Sequence, residues 1–493
     1  MKKQKNYLNL GRKIKNMEEI KIGLEVHTQL NTESKLFCSC STSQTEPNKN
    51  VCDVCLGMPG TKPVLNEKSI ELALKIAFAL DAKINHKFLF SRKTYFYPDL
   101  AKNFQITQYE IPIAHGGKLK IRDKIIGIKR IHIEEDPAKI IRKDNYILLD
   151  YNRSGIPLVE IVTEPDLKSP AEARIFLQTL QQLLEFIYVV DFSREGAMRI
   201  DVNISITRYK ENYKYGKGLI TEKKEGARVE IKNISGAKEV EKALSYEILR
   251  QKNLRKVKRE TRLWNEKTKI TISAREKEEE EDYGYIFEPD LPKIEISEEL
   301  LNKVSSNLPE LPETKRKRFL KYSISKELVN TLLTEPELSY YFDYLCETHN
   351  PKVSAVILAK YLKKTLNYHN LKLKEINLDL KYLRRILDLL QEYLITSDIA
   401  EIIIQEMVGD YIKGREIRSP DKILKDLKYE KPLEEDKIRR FVIDVVRNNQ
   451  KAVKDYLSGK KEALDYLVGQ VMRKISRRED AKKVRELLKR EIE

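Results

Sequence analysis

The sequence predicts an α+β N-terminal domain carrying a mixed or antiparallel sheet, followed by all-α helical and tail domains. Three observations predict it. Short stretches up to about residue 296 alternate apolar and polar side chains with the period of two that a half-buried strand requires. Helical periodicity interrupts those stretches. Beyond Leu291-Pro292 the chain turns to Leu, Lys and Glu at helical spacing, with few strand signals.

The elements follow in chain order. Residues 1–17 carry cations without sustained periodicity and read as a basic arm. From Ile20, the apolar side chains Ile22, Leu24 and Val26 alternate with Gly23, Glu25 and His27, which places Glu25 and His27 on the polar face of one strand. The same alternation sets Asp201 and Asn203 opposite Ile200, Val202 and Ile204, and sets Glu230 beside Lys232. Ser169-Pro-Ala-Glu172 is a capping-box start, with Phe176, Leu180, Leu183, Leu184 and Ile187 repeating on one helical face behind it. Helices are also expected over 66–80 and 237–249. With 493 residues the chain exceeds what one core organises. The expected division is an arm over 1–17, a first domain over 18–296, a helical domain over 297–420 and a C-terminal tail over 421–493, with breaks near Arg418-Ser-Pro420 and Lys431-Pro432.

Composition narrows the function classes. Hydrophobic residues at 41% and charged residues at 34% describe a globular chain with material for cores. No run of 18 apolar residues occurs, and no apolar stretch follows the basic start, so neither a membrane span nor a secretory signal is expected and a cytoplasmic location is. The balance of 93 Lys+Arg against 76 Asp+Glu gives +17, a field that favours polyanions such as nucleic acid. Charge alone does not identify the partner, because thermophile surfaces are also rich in Lys and Glu.

Four of the five cysteines crowd into Cys38-x-Cys40 and Cys52-x-x-Cys55. Two such pairs can close four thiolates around one tetrahedral zinc, and a complete sulfur shell makes that ion structural rather than catalytic. Glu25, His27, the run His132-Ile-Glu-Glu-Asp136 and Glu160 supply carboxylates and imidazoles that suit a divalent cation if they converge; the bland alternative is solvated edge charges around a hydrogen-bonded histidine. Arg92-Lys93-Thr-Tyr95-Phe-Tyr97 interleaves cations with aromatics, a pattern that serves equally for stacking a base or for a half-buried strand ending at Pro98. No phosphate-binding P-loop, G-x-G-x-x-G or G-x-S-x-G motif is present, and Cys346 reads as a packing residue.

These residues carry a resemblance. Ile22-Gly-Leu-Glu-Val-His-Thr-Gln-Leu30, Tyr95-Phe-Tyr-Pro-Asp99, His132-Ile-Glu-Glu-Asp136, Asn152-Arg-Ser-Gly-Ile-Pro-Leu-Val-Glu-Ile161, Glu164-Pro-Asp166, Arg228-Val-Glu-Ile-Lys-Asn233 and Phe287-Glu-Pro-Asp290 resemble, in order, the B-subunit family of the glutamyl/aspartyl-tRNA amidotransferases, GatB. Phe441 to Arg473 looks like that family's tail, shared with YqeY-like proteins. The resemblance implies that the first domain is a cradle for ATP and Mg²⁺, with Mn²⁺ the alternative ion, and that the helical and tail domains grip tRNA. It implies ATP-dependent conversion of Glu-tRNA(Gln) to Gln-tRNA(Gln), of Asp-tRNA(Asn) to Asn-tRNA(Asn), or both. Carried over residue by residue, Glu25, His27, Glu135 and Glu160 become the magnesium ligands and catalytic residues. Lys93, Tyr95 and Tyr97 become contacts for the nucleotide or the aminoacyl end, and Asp201, Asn203 and Lys232 join the binding site. The partners implied are an amidase-like A subunit acting as glutaminase, a small C subunit and tRNA(Gln) or tRNA(Asn). Two departures stand out: Gly284 occupies a position between two tyrosines where the family often has Arg, and the tail ends in Arg473-Lys-Ile-Ser-Arg-Arg. A zinc-stabilised tRNA-binding scaffold without chemistry is the competing reading, and a free-standing zinc hydrolase a weaker third.

Overall fold

The computed structural model describes residues 14–214, 217–254, 256–276, 284–429, 435–475 and 481–492. It divides into two units, Met1–Leu311 and Pro312–Glu493. Most of the basic arm and the Lys431-Pro432 break lie outside the described residues, as do Asp282, Tyr283 and the last residues of the Arg473-to-Arg478 run.

Five strands form the centre of the first unit: β1 (Ile14–Gln29), β2 (Lys124–Glu135), β3 (Pro157–Thr163), β4 (Met198–Lys214) and β5 (Val229–Ile234). They lie in the order β5-β4-β1-β3-β2, each antiparallel to its neighbours. Beyond β5 the strand Glu260–Asn265 adds in parallel, which makes the whole sheet mixed. On the other side Ala114–Ile121 continues the antiparallel pattern beside β2. β1 begins earlier than its alternation suggests: Ile14 to Glu19 already pair with Asn212 to Thr207 of β4.

The alternation sorts the two faces. Ile22, Leu24, Val26, Ile131, Ile133, Val159, Ile161, Ile200 and Val202 are buried in one core, together with residues of the helices α1 (Glu67–Ala79), α2 (Pro170–Phe186) and α3 (Ala237–Asn253). Burial of that much branched apolar surface is the dominant favourable term holding helices to sheet. The expected cap of α2 forms, with Ser169 Oγ accepting from Glu172 N at 3.2 Å and Pro170 in the first turn. Glu172 reaches one residue further than a capping box requires and accepts from Lys168 N at 2.9 Å.

The helix α4 (Glu298–Ser306) belongs with the sheet rather than with the helical region that the sequence division assigned it to. Its Val304 is buried in the core of the first unit, and Leu300, Leu301, Leu308 and Leu311 pack on that core. Helical spacing shows where a helix runs but not which neighbour covers its apolar stripe. The described residues of the second unit contain only helices, including a π-helical turn over Val356–Leu362. The break near Ser419-Pro420 is a helix start, capped by Ser419 Oγ accepting from Lys422 N. Residues 435–492 have a small core of their own, including Ile438, Val442, Leu467, Val471, Val484 and Leu488.

Candidate active site

The polar face of the sheet is the floor of a cleft of about 550 Å³. Strand register determines what meets there. Across β2, β3 and β1, His132 pairs with Glu160 and Glu160 with His27, so three consecutive strands place their side chains in one row. Glu25 of β1 lies opposite Asp201 of β4, and Asn203 of β4 lies opposite Glu230 of β5. Glu134, two residues after His132, shares its face.

The row is tightly bonded. His27 Nδ1 lies 2.9 Å from Glu134 Oε1, and His132 Nε2 lies 2.7 Å from Glu160 Oε2. Thr107 Oγ1 donates to the other oxygen of Glu134 at 3.3 Å. On the β4 side, Lys232 Nζ bridges Asp201 and Glu230 at 3.0 Å each, and Asn203 Nδ2 donates to Glu25 Oε1 at 2.8 Å. Burial opposes charge on His27, but Glu160 and the hydrogen-bonded Glu134 outweigh it and raise the imidazole to about 9. Burial also works against Glu160, yet His132 and His27 hold its carboxyl down to about 2. Glu25 moves the other way: burial, then Glu160 and Asp201, raise it. Within this network, Glu25, His27 and Glu160 could hold a cation, as could His132, Glu134 and Glu160, or Glu25, Asp201 and Glu230; in each group the ligand atoms lie within 4.8 Å of one another. The donor set of carboxylate oxygens and imidazole fits Mg²⁺ or Mn²⁺, and Glu25 and Glu160 each serve two of these groups.

The residues expected from the sequence divide into those the fold gathers and those it separates. Glu25, His27, Glu160, Lys93, Asp201, Asn203 and Lys232 all line the cleft. Glu135 does not. As the next residue along β2 it faces away from Glu134, and its carboxylate accepts from Lys102 Nζ at 2.5 Å and from Ile106 N at 2.8 Å. Tyr95 and Tyr97 are also outside the lining; the Lys93 ammonium sits 5.8 Å from the Tyr95 ring centre, and the Tyr97 hydroxyl accepts from Arg142. In their place the cleft receives Tyr109 and Tyr285, stacked with ring centres 3.9 Å apart. His132 and Glu134, which the sequence placed in the acidic run without a role of their own, also line the cleft, as do the cations Arg130 and Arg228 and the amide of Gln108. For His132 and Glu134 the signal was available: β2 alternates like the other strands, which puts Glu134 rather than Glu135 with His132.

Away from the cleft, the sulfurs of Cys38, Cys40, Cys52 and Cys55 lie within 4.8 Å of one another, a cluster able to bind a metal and compatible with structural zinc. Cys52 and Cys55 are 4.0 Å apart sulfur to sulfur, close to the spacing of about 3.8 Å that tetrahedral Zn–S bonds impose. Lys35, fully buried, places its ammonium 3.6 Å from Cys55 Sγ and donates to the carbonyls of Asn50 and Tyr151. A hydrogen bond from Cys38 comes first, and the Lys35 charge adds to it, in holding the Cys55 thiol down to about 4.

Comparison with known proteins matches this architecture. A family model described as the GatB/GatE catalytic domain covers residues 20–302, the region that holds the sheet and cleft, and one described as the GatB domain covers 340–492. The chain belongs to the GatB/GatE family. It is similar to the B subunit of the aspartyl/glutamyl-tRNA(Asn/Gln) amidotransferase of Methanospirillum hungatei JF-1, 42% identical over 491 residues, which covers 96% of this chain and 98% of the relative. The corresponding protein of Sulfolobus acidocaldarius is also 42% identical, over 96% of this chain and 99% of its own length. That of Methanosarcina mazei is 40% identical over 97% and 99%.

Proposed function

We propose that this protein is the amidating subunit of a tRNA-dependent amidotransferase, converting Glu-tRNA(Gln), Asp-tRNA(Asn) or both to the amide at the expense of ATP. The observation that carries the reading is the cleft of the family's catalytic domain, where the register of five strands aligns Glu25, His27, Glu134, Glu160, Asp201 and Glu230. A carboxylate does not accept ammonia directly. In the proposed reaction, an oxygen of the aminoacyl side-chain carboxylate attacks the terminal phosphorus of ATP, and the bond to ADP breaks. Ammonia then attacks the acyl carbon, the carbon–oxygen bond to phosphate breaks, and the nitrogen loses its extra proton. Glu25, His27 and Glu160, with Glu134 in the place expected of Glu135, would hold Mg²⁺ or Mn²⁺, which supplies neutralisation of phosphate charge. The protein's own cations Lys93 and Arg228 line the same cleft and can screen the triphosphate.

The ammonia comes from a partner in this reading, an amidase-like A subunit held with a small C subunit. Burial pushes the Cys346 thiol up to about 12, and the other four cysteines are committed to one cluster, so no activated thiol is available here for glutamine hydrolysis. One observation favours the scaffold alternative: His27, His132 and Lys232 already pair with the carboxylates, so the acidic row is satisfied without a cation. Glu160→Gln in the reconstituted heterotrimer separates the two. Amidation of Glu-tRNA(Gln) and Asp-tRNA(Asn) with ATP should fall by on the order of 100-fold with tRNA affinity retained. Wild-type amidation in that variant would leave only the scaffold.

A further inference from the structure

Gln108 is a buried residue of the cleft lining, with one half of its amide fixed and the other half without a partner among the described residues. It follows the strand Phe104–Thr107 and is 2% exposed. Its Oε1 accepts from Ile133 N and from Ile113 N, both at 3.0 Å. The need for the first bond is topological. The strand Ala114–Ile121 begins opposite Ile131 of β2, so Ile133 lies past its end and the amide oxygen stands in for the missing strand. Two backbone donors on one oxygen also decide which end of the side-chain amide is nitrogen.

The consequence is at Nε2. With the oxygen fixed, the NH₂ group is buried without a protein acceptor among the described residues, and Gln108 lines the cleft. Arg130, lining the same cleft, likewise keeps its Nε buried without an acceptor. Each such group costs free energy unless water or a ligand satisfies it, and two N–H donors in one cleft, one of them cationic, suit an oxyanion. The neighbours on either side of Gln108 are held in place: Thr107 bonds Glu134, and Tyr109 stacks on Tyr285. The donor is therefore fixed in position before any ligand arrives.

We propose that Gln108 is a substrate-binding residue whose amide N–H, together with the Arg130 guanidinium, receives an oxyanion of the reacting groups. That oxyanion is either the side-chain carboxylate of the aminoacyl-tRNA or the terminal phosphoryl group of ATP. The assignment rests on the amidation reading above and adds a binding role that reading does not use.

The decisive variant is Gln108→Glu, assayed in the reconstituted heterotrimer. Glutamate keeps an acceptor oxygen for Ile113 and Ile133 and replaces the donor NH₂ by a second oxygen. The melting temperature should stay near wild type, and KM should rise at least ~10-fold for one substrate. A rise in the ATP KM places the phosphoryl group at Gln108; a rise in the aminoacyl-tRNA KM places the carboxylate there. Arg130→Met should raise the same KM, and it decides the matter alone if Gln108→Glu fails to fold. Wild-type KM and kcat for both substrates in the folded variants would overturn the assignment. Absence of ATP-dependent amidation in the wild-type complex would instead remove the reaction on which it rests.

Discussion

Glu134 and Glu135 are adjacent and chemically identical, yet a strand turns successive side chains to opposite faces and gives them unrelated surroundings. Glu134 is bonded to His27 and Thr107 in the cleft, while Glu135 is bonded to Lys102 and the Ile106 backbone on the other side of the sheet. The two should fail differently when changed. Glu134→Gln keeps size and the Thr107 contact but takes the charge from a pair with His27, so it should cost less stability than truncation and lower ATP-dependent amidation by about 100-fold. Glu135→Ala strands Lys102, only 13% exposed in its side chain, and takes the acceptor from Ile106 N. Removing one partner of a buried pair costs about 3–5 kcal/mol, which denaturant unfolding would read directly. Equal stability of the two variants would contradict this division of roles.

At the scale of elements, the cysteine knuckle is tied to the segment that feeds β3. Asn48 N donates to Asp150 Oδ1 at 3.0 Å, Asn50 N to Asn152 Oδ1 at 2.7 Å, and the Lys35 ammonium reaches both Cys55 and the Tyr151 carbonyl. A buried ammonium needs a compensating anion, and no carboxylate among the described residues pairs with Lys35, so thiolate character at Cys55 is what balances it. Zinc would keep that thiolate in place. Chelator treatment of zinc-loaded protein should therefore speed amide exchange in residues 149–156 as well as in 38–55. Exchange in the separate core of residues 435–492 should not change. If 149–156 exchanged at the same rate with and without metal, the knuckle would be an appendage and not a brace. Much of this element was readable from the paired cysteine spacing, since ligand geometry is local. The Lys35 contact was not, because it joins residues more than a hundred positions apart.

Across the whole molecule, the surplus of positive charge, +17, suits a polyanion, which under the proposed function is tRNA. Binding through phosphate contacts releases counterions, so the affinity for a cognate tRNA should fall linearly in log–log form with salt between about 50 and 200 mM, by on the order of 10³ or more if six phosphates are neutralised. A flat salt dependence would show that the surplus charge serves another purpose. The same scale decides what no local pattern could. Helix Glu298–Ser306 has the spacing of any amphipathic helix, but its Val304 is buried with the sheet domain, which moved the division between the units to Leu311.

By itself the sequence determined the fold class, the polar and apolar faces of the strands, the cap of the long helix and the four-cysteine cluster. Each depends on residues within a few positions of one another, where periodicity and ligand spacing act directly. Only the tertiary structure decided that the Glu134 face of β2 meets His27, that His132 completes the row with Glu160, and that Tyr109 and Tyr285 stand in the cleft where Tyr95 and Tyr97 were expected. The physical reason is register. A strand fixes the face of its own side chains, but pairing between strands distant in the chain fixes which of them become neighbours.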